Sequence, residues 1–326
     1  CCLGHCFKFV PVVSSHCRGV RTMQTDNATF THLLTPLDGS HLAEAVLPAA
    51  RYWAQALQAT VTLFHVIERN APETVHGDRH ITQPDEANAY LAAVAQTFAP
   101  DVSINYHVHT DETRNVARNI VDHAKELRAD LVVLCTHGKG GLHTWLFGSI
   151  AQQVIALGNT PVLLIHPEEH VRSAPFACRR LLTPLDGDPE HEQGIQVAVH
   201  LAQKLGAELH LVMVVATRDT LPNERLATAR LLPGATAAFL DITEQGAQAY
   251  VAQQVAQLTS LGLAVTSAVR RGDPATAIAE DAQQTQADLI VLGTHGKSHM
   301  DAFWSGSTTP KLSNRTKLPL LLVPVR

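Results

Sequence analysis

Long apolar runs, basic blocks and paired cysteines are missing from this chain, and each absence removes a class of protein. No uninterrupted apolar stretch approaches the roughly 18–20 residues that a membrane-spanning helix needs, and the chain reads as cytoplasmic. The net charge is −5 and no long block of Lys and Arg interrupts it, so the electrostatic footprint of a nucleic-acid binder is absent. Of the six cysteines, Cys1, Cys2, Cys6 and Cys17 crowd into the first 17 residues. Even with His5 and His16 added, their spacing matches none of the paired C-x2-C patterns of zinc sites. The remaining two, Cys135 and Cys178, read as reduced thiols rather than a disulfide.

What is present suits two soluble domains. The 326 residues, 45% of them hydrophobic and 17% charged, are enough for two cores of roughly 150 residues each. Residues 1–22 carry neither helix nor strand periodicity. Their apolar piece, residues 7–13, is broken by Lys8 and Pro11, which suits a signal peptide poorly. A disordered leader over residues 1–28 is expected, ahead of domains at 29–170 and 178–326.

The chain is written twice. Leu33-Leu34-Thr35-Pro36-Leu37-Asp38-Gly39 recurs letter for letter as Leu181-Leu182-Thr183-Pro184-Leu185-Asp186-Gly187, and Thr136-His137-Gly138-Lys139 recurs as Thr294-His295-Gly296-Lys297. Repetition at this long period means tandem domains rather than a solenoid. In each half short apolar runs alternate with helical patterns. In the first, strands are expected near 30–35, 61–67, 102–109, 131–134 and 162–165. Helices are expected from Ser40, over 86–98, 115–127 and 149–157. The second half repeats the order, with strands near 180–184, 208–215, 264–270, 289–292 and 320–323. Its helices are expected near 191–205, 241–261, 274–285 and 307–314, and its extra residues, 218–240, read as a loop because of Pro222, Pro233 and Gly234. Such alternation implies a parallel sheet covered on both faces, with ligands held at the carboxyl ends of its strands. Asp38 and Asp186 close the first strand of each half, and a glycine loop closes the fourth.

The second-half loop is the most informative segment. Gly293-Thr294-His295-Gly296 follows an apolar strand, and Gly306-Ser307 stands nine residues further on. Glycine lets backbone approach a ligand with no Cβ in the way, and a helix N-terminus offers unpaired N–H groups to anions. The first half keeps Gly138, Gly148 and Ser149 but carries Cys135 where the second has Gly293.

These residues resemble the universal stress protein family in its tandem form. The likeness rests on Pro36-Leu37-Asp38-Gly39-Ser40, on Leu63-Phe64-His65-Val66-Ile67, on Arg271-Gly272-Asp273-Pro274, and on the G-x2-G-x9-G-[ST] pattern completed at Gly293, Gly296, Gly306 and Ser307. The resemblance implies an α/β fold of two flavodoxin-like or Rossmann-like (adenine nucleotide alpha hydrolase-like) three-layer sandwiches, each with a five-stranded parallel sheet. It implies ATP as ligand, with Mg2+ as the cation if one takes part. The implied second-half site is Pro184, Asp186, Val214 (or Val215), Leu292, Gly293, Gly296, Gly306, Ser307 and Thr308. Its first-half copy is Pro36, Asp38, Val66, Leu134, Gly138, Gly148, Ser149 and Ile150, with Cys135 crowding it. Pro310 removes one N–H donor early in the last helix of the second half.

Other residues admit two readings. His137 and His295, Lys139 and Lys297, and Trp145 and Trp304 flank the glycine loops and either meet nucleotide or pack and solvate the loop. His107 and His109 share a strand face with no third ligand near them in sequence. No nucleophile–base pair and no HIGH-type or SGGxDS-type signature is present, so a regulatory adenine-nucleotide-binding protein of the stress response, with slow ATP hydrolysis at most, is expected. A scaffold acting through protein contacts is the alternative. The final strands of the two halves are expected to pair with each other, and the whole chain to dimerise.

Overall fold

The computed structural model describes residues 30–98, 100–136, 148–167, 176–188, 193–221, 223–295 and 308–325. The expected leader lies outside them, as do Gly138, Gly296, Gly306 and Ser307.

The first half runs β1 (His32–Pro36), a 3-10 turn (Ala43–Val46), α1 (Leu47–Leu57), β2 (Thr60–Glu68), a small hairpin β3 (Thr74–Val75) and β4 (Asp78–Arg79), α2 (Pro84–Gln96), β5 (Ile104–Thr113), α3 (Val116–Glu126), β6 (Leu131–Cys135), α4 (Ser149–Leu157) and β7 (Val162–Ile165). The second half repeats this as β8 (Arg180–Leu185), α5 (Gln193–Leu205), β9 (Glu208–Val215), α6 (Asn223–Leu231), α7 (Pro233–Ser260), β10 (Val265–Arg271), α8 (Pro274–Gln284), β11 (Leu289–His295), α9 (Thr308–Ser313) and β12 (Leu320–Val325). Residues 218–240 are therefore mostly helix, where a loop was expected. Pro233 stands in the first turn of α7, where its missing N–H costs nothing, and the alanine-rich stretch after it favours helix.

Ten strands form one sheet in the order β10-β9-β8-β11-β12-β7-β6-β1-β2-β5. Within each half this is the order 3-2-1-4-5, all parallel, which reverses between the first strand and the fourth. The halves join through β12 and β7, paired antiparallel with Leu321 opposite Leu163. Pairing buries two edges that would otherwise offer unpaired backbone groups. Because the joint is antiparallel, the carboxyl edges of the two half-sheets face opposite ways.

Two buried layers cover the sheet. One contains Leu33, Trp53, Leu63, Leu91 and Val133 with Leu181, Ile195 and Leu201 from the other half. The second contains Phe64, Ile120, Val132 and Leu164 with Val212, Ile278 and Leu322. Across the joint the Cys178 amide donates to the Tyr52 hydroxyl at 3.2 Å.

Repeated letters have repeated jobs. In the recurring Ala-Asp-Leu, Asp130 accepts from the Thr31 amide at 2.7 Å and the His32 amide at 3.0 Å. Asp288 accepts likewise from the Arg179 and Arg180 amides at 2.7 and 2.9 Å. Both aspartates lock the start of the first strand of a half to the start of its fourth. Asp273, in the Arg-Gly-Asp-Pro motif, caps α8 by accepting from the Thr276 amide at 3.0 Å.

The halves differ on one face. In the second, buried Asp281 on α8 accepts from His210 Nε2 at 2.8 Å and from Arg270 Nε at 2.6 Å. The matching first-half positions are His123 and His109, whose rings meet edge-on with centroids 5.0 Å apart. His107 lies 5.1 Å from His123, so the third histidine absent from the local sequence arrives from a helix. Among the described residues, however, no three His, Cys, Asp or Glu side chains converge to hold a metal ion.

Candidate functional site

The reversal of strand order lies between β8 and β11 in the second half and between β1 and β6 in the first. Open parallel sheets hold ligands at such points because the crossovers leave on opposite faces and part there.

In the second half β8 pairs with β11 through Leu181 opposite Leu289 and Leu182 opposite Ile290. Following both strands to their carboxyl ends brings Pro184 and Asp186 beside Leu292 and Gly293. Val214 lies on the neighbouring β9, and Thr308 opens α9, which leaves from the same edge. Leu292 and Val215 are buried, and Gly293 is exposed. Asp186 Oδ1 accepts from the Asp188 amide at 2.9 Å across a turn closed by Gly187 at φ 81°. That backbone region excludes most side chains.

Gly293 has a second neighbour that the motif does not announce. A Cβ built on Gly194, in the first turn of α5, would stand 2.9 Å from the Gly293 nitrogen and 3.3 Å from its Cα. Helix and strand thus touch backbone to backbone, which a side chain at 194 would prevent. The positions matching 194 and 293 in the first half are Val46 and Cys135. Both side chains are buried in one apolar layer with Leu131 and Val133, whereas Val132 and Leu134 belong to the opposite layer. The Cys135 side chain therefore enters the layer that contains Val46 and Trp53. Burial, assisted by the negative charge of Asp38, pushes its thiol up to about 12. Thiolate is the reactive form, so native protein treated with iodoacetamide at pH 8 is expected to leave Cys135 unmodified. Mass mapping that found it alkylated before unfolding would refute this burial.

The first-half edge is more heavily furnished. Pro36 ends β1, Val66 and Leu134 are buried near the ends of β2 and β6, and Gly148, Ser149 and Ile150 open α4. Asp38 Oδ1 accepts from the Ser40 amide at 2.9 Å and the Ser40 hydroxyl at 2.6 Å. His76 Nε2 stands 3.7 Å from Asp38 Oδ2. His76 sits at the tip of the β3–β4 hairpin, whose turn His76-Gly77 has φ of 53° and 90°, the handedness that two-residue hairpins favour. Directly after the turn, Asp78 accepts from the His41 amide at 2.9 Å and pairs with its ring at 3.0 Å. The Asp78 hydrogen bond raises His41 above the usual imidazole range, and the His41 amide and ring lower Asp78. Behind them buried His65 faces the Leu37 carbonyl at 2.8 Å and the Ile81 carbonyl at 3.2 Å. Burial holds His65 below the usual range despite those two acceptors. Ile81 closes over Gly39, where an added Cβ would meet its Cδ1 at 2.6 Å.

Sequence reading missed the hairpin, its histidines and Gly194. The hairpin had one local signal, a glycine following His76 between two short extended pairs. Gly194 had none, because its partner lies 99 residues away.

Comparison with known proteins gives a consistent result. The profile of the Universal stress protein family matches residues 29–166 and again residues 177–324. A universal stress protein of Mycolicibacterium smegmatis is 26% identical over 309 residues, covering 92% of this chain and 99% of that protein. Universal stress protein Rv2005c of Mycobacterium tuberculosis is 27% identical over 198 residues, 60% of this chain and 61% of that one. Among solved structures, a universal stress protein from Archaeoglobus fulgidus superposes with a TM-score of 0.63 at 18% identity, over 92% of this chain and 98% of that one. That likeness concerns the fold.

Proposed function

The chain belongs to the universal stress protein family, and from that premise we propose that its second half binds ATP as a regulatory ligand in the cytoplasm. The observation that supports this reading is that Asp186 follows β8 and exposed Gly293 lies on β11, the two strands between which strand order reverses. A bare backbone at a strand end admits ribose and phosphate oxygens without obstruction. Gly296, Gly306 and Ser307 would complete the cradle, and Val214 would border the base. The residues fit the group: one carboxylate stands at the edge, and Mg2+ is commonly held by one or two carboxylates together with the phosphates it neutralises. Bound there, ATP would supply a polyphosphate anion whose charge the cation shares. Asp186 would orient that cation, and the Gly293 main chain would hold the ribose side. The same arrangement provides positions rather than a nucleophile, which suits a protein that senses nucleotide and turns it over slowly at most.

Protein purified without added nucleotide, denatured and analysed by mass spectrometry is expected to release ATP or ADP at close to one equivalent per chain. Stripped protein is expected to melt at a higher temperature when ATP and Mg2+ are added. No released nucleotide together with no thermal shift would leave the scaffold reading in its place. One observation favours that alternative. Leu231, Leu232, Phe239 and Ile242, on or beside α6 and α7, are 80%, 57%, 48% and 66% exposed, and clustered exposed apolar residues suit protein contacts, dimerisation among them.

A further inference from the structure

The two carboxyl edges carry the same Pro-Leu-Asp-Gly turn, yet their coverings differ. In the second half, among the described residues, the turn glycine Gly187 meets the end of a flexible side chain, with a built Cβ 3.0 Å from Met213 Cε. After β9 the chain continues into a 3-10 turn (Arg218–Thr220) and α6. In the first half the chain leaving β2 folds back as the β3–β4 hairpin and is fastened at three points. Asp78 holds His41 by both its amide and its ring. His76 Nε2 stands 3.7 Å from Asp38 Oδ2, and Asp38 Oδ1 accepts from Ser40. Ile81 is pinned over Gly39 and, through its carbonyl, to His65.

Each fastening lands on the turn that would receive a ligand. Asp38 is the residue whose counterpart, Asp186, faces the proposed nucleotide; its Oδ1 accepts from Ser40, and His76 stands 3.7 Å from its Oδ2. An imidazole beside a carboxylate occupies the place that a ribose hydroxyl or a bound cation would take. The hairpin is short, and an isolated two-stranded hairpin is at best marginally stable in water, so its position depends on these contacts.

We propose that the β3–β4 hairpin is a built-in strap that occupies the first-half ligand edge and keeps that half closed to nucleotide while the second half binds it. The inference rests on the ATP reading above. It assigns the difference between the halves to the hairpin rather than to Cys135, whose side chain is buried in the apolar layer.

The test uses full-length protein stripped of nucleotide and titrated calorimetrically with ATP and Mg2+. Wild type is expected to bind one equivalent per chain. The double variant Asp78→Ala/His76→Asn removes the clasp while keeping a residue that tolerates left-handed backbone at the tip. It is expected to bind two equivalents, and adding Asp38→Ala should return it to one. A second variant, with residues 72–79 replaced by Gly-Ser-Gly-Ser and His80 and Ile81 retained, should behave alike and covers the case in which the first misfolds. One equivalent in every variant would overturn the strap and leave the ATP reading standing. Two equivalents in wild type would also overturn it, as would a fall in binding on loosening the hairpin, which would make it a wall of the site. No binding in any protein would defeat both readings together.

Discussion

Replacing Gly194 by valine is expected to push α5 away from β11 and to weaken ATP binding by about ten- to a hundredfold, the equivalent of the cost of overpacking. The three atoms a Cβ would meet are the Gly293 nitrogen, the Gly293 Cα and the Leu292 carbonyl carbon, at 2.9, 3.3 and 3.6 Å. All are backbone and cannot turn aside, so the helix must move or the strand end must bend. Overpacking of this kind costs about 1–3 kcal/mol. The duplicated chain contains the compensated form. There, valine and cysteine face each other, and the helix begins as a 3-10 turn ending at Val46 before α1 takes over. Calorimetric titration of Gly194→Val, with Gly194→Ala as the milder step, checks the effect against thermal unfolding of the same proteins. A lowered melting temperature with an unchanged dissociation constant would reduce the glycine pair to packing alone.

Arg270→Met is expected to destabilise the second half by about 3 kcal/mol, because it leaves the buried Asp281 carboxylate with only His210 beside it. Asp281 has no side-chain exposure, whereas Arg270 reaches solvent with its outer end. The cation can therefore be removed without emptying the core, and the loss reports mainly the stranded anion. For a domain of this size the change corresponds to a fall of roughly 6–12 °C in melting temperature. Arg270→Met/Asp281→Leu should recover most of it, since replacing both members of a buried pair by apolar groups is often neutral. If the single variant melts like wild type, the carboxylate is not stranded. The first half offers the contrast, with His109 and His123 at these positions and only a ring contact between them.

The duplication of the chain and the alternation of strands and helices were legible in the residues. Each depends on local pattern. Apolar runs bury themselves, an Asp before a Pro caps a helix, and an exact repeat means two similar folds. The register at 218–240 was misread because proline and glycine weigh as helix breakers unless their place in the first turn is known. The layer that Cys135 enters was not legible for a different reason: a strand residue alternates between faces, and what covers each face is set by distant segments.

From the sequence alone came the fold class, the twofold duplication and the strand ends at which Asp38 and Asp186 stand, whereas Gly293, expected just after its strand, lies within β11 opposite Val323. Periodicity and turn chemistry act over a few residues, and a repeat is visible without coordinates. Tertiary structure decided that β7 and β12 meet antiparallel, that Gly194 lies against Gly293, and that a hairpin closes over Asp38. Those facts arise from contacts between segments distant along the chain, where steric fit and the pairing of buried polar groups choose among arrangements that local sequence leaves equal.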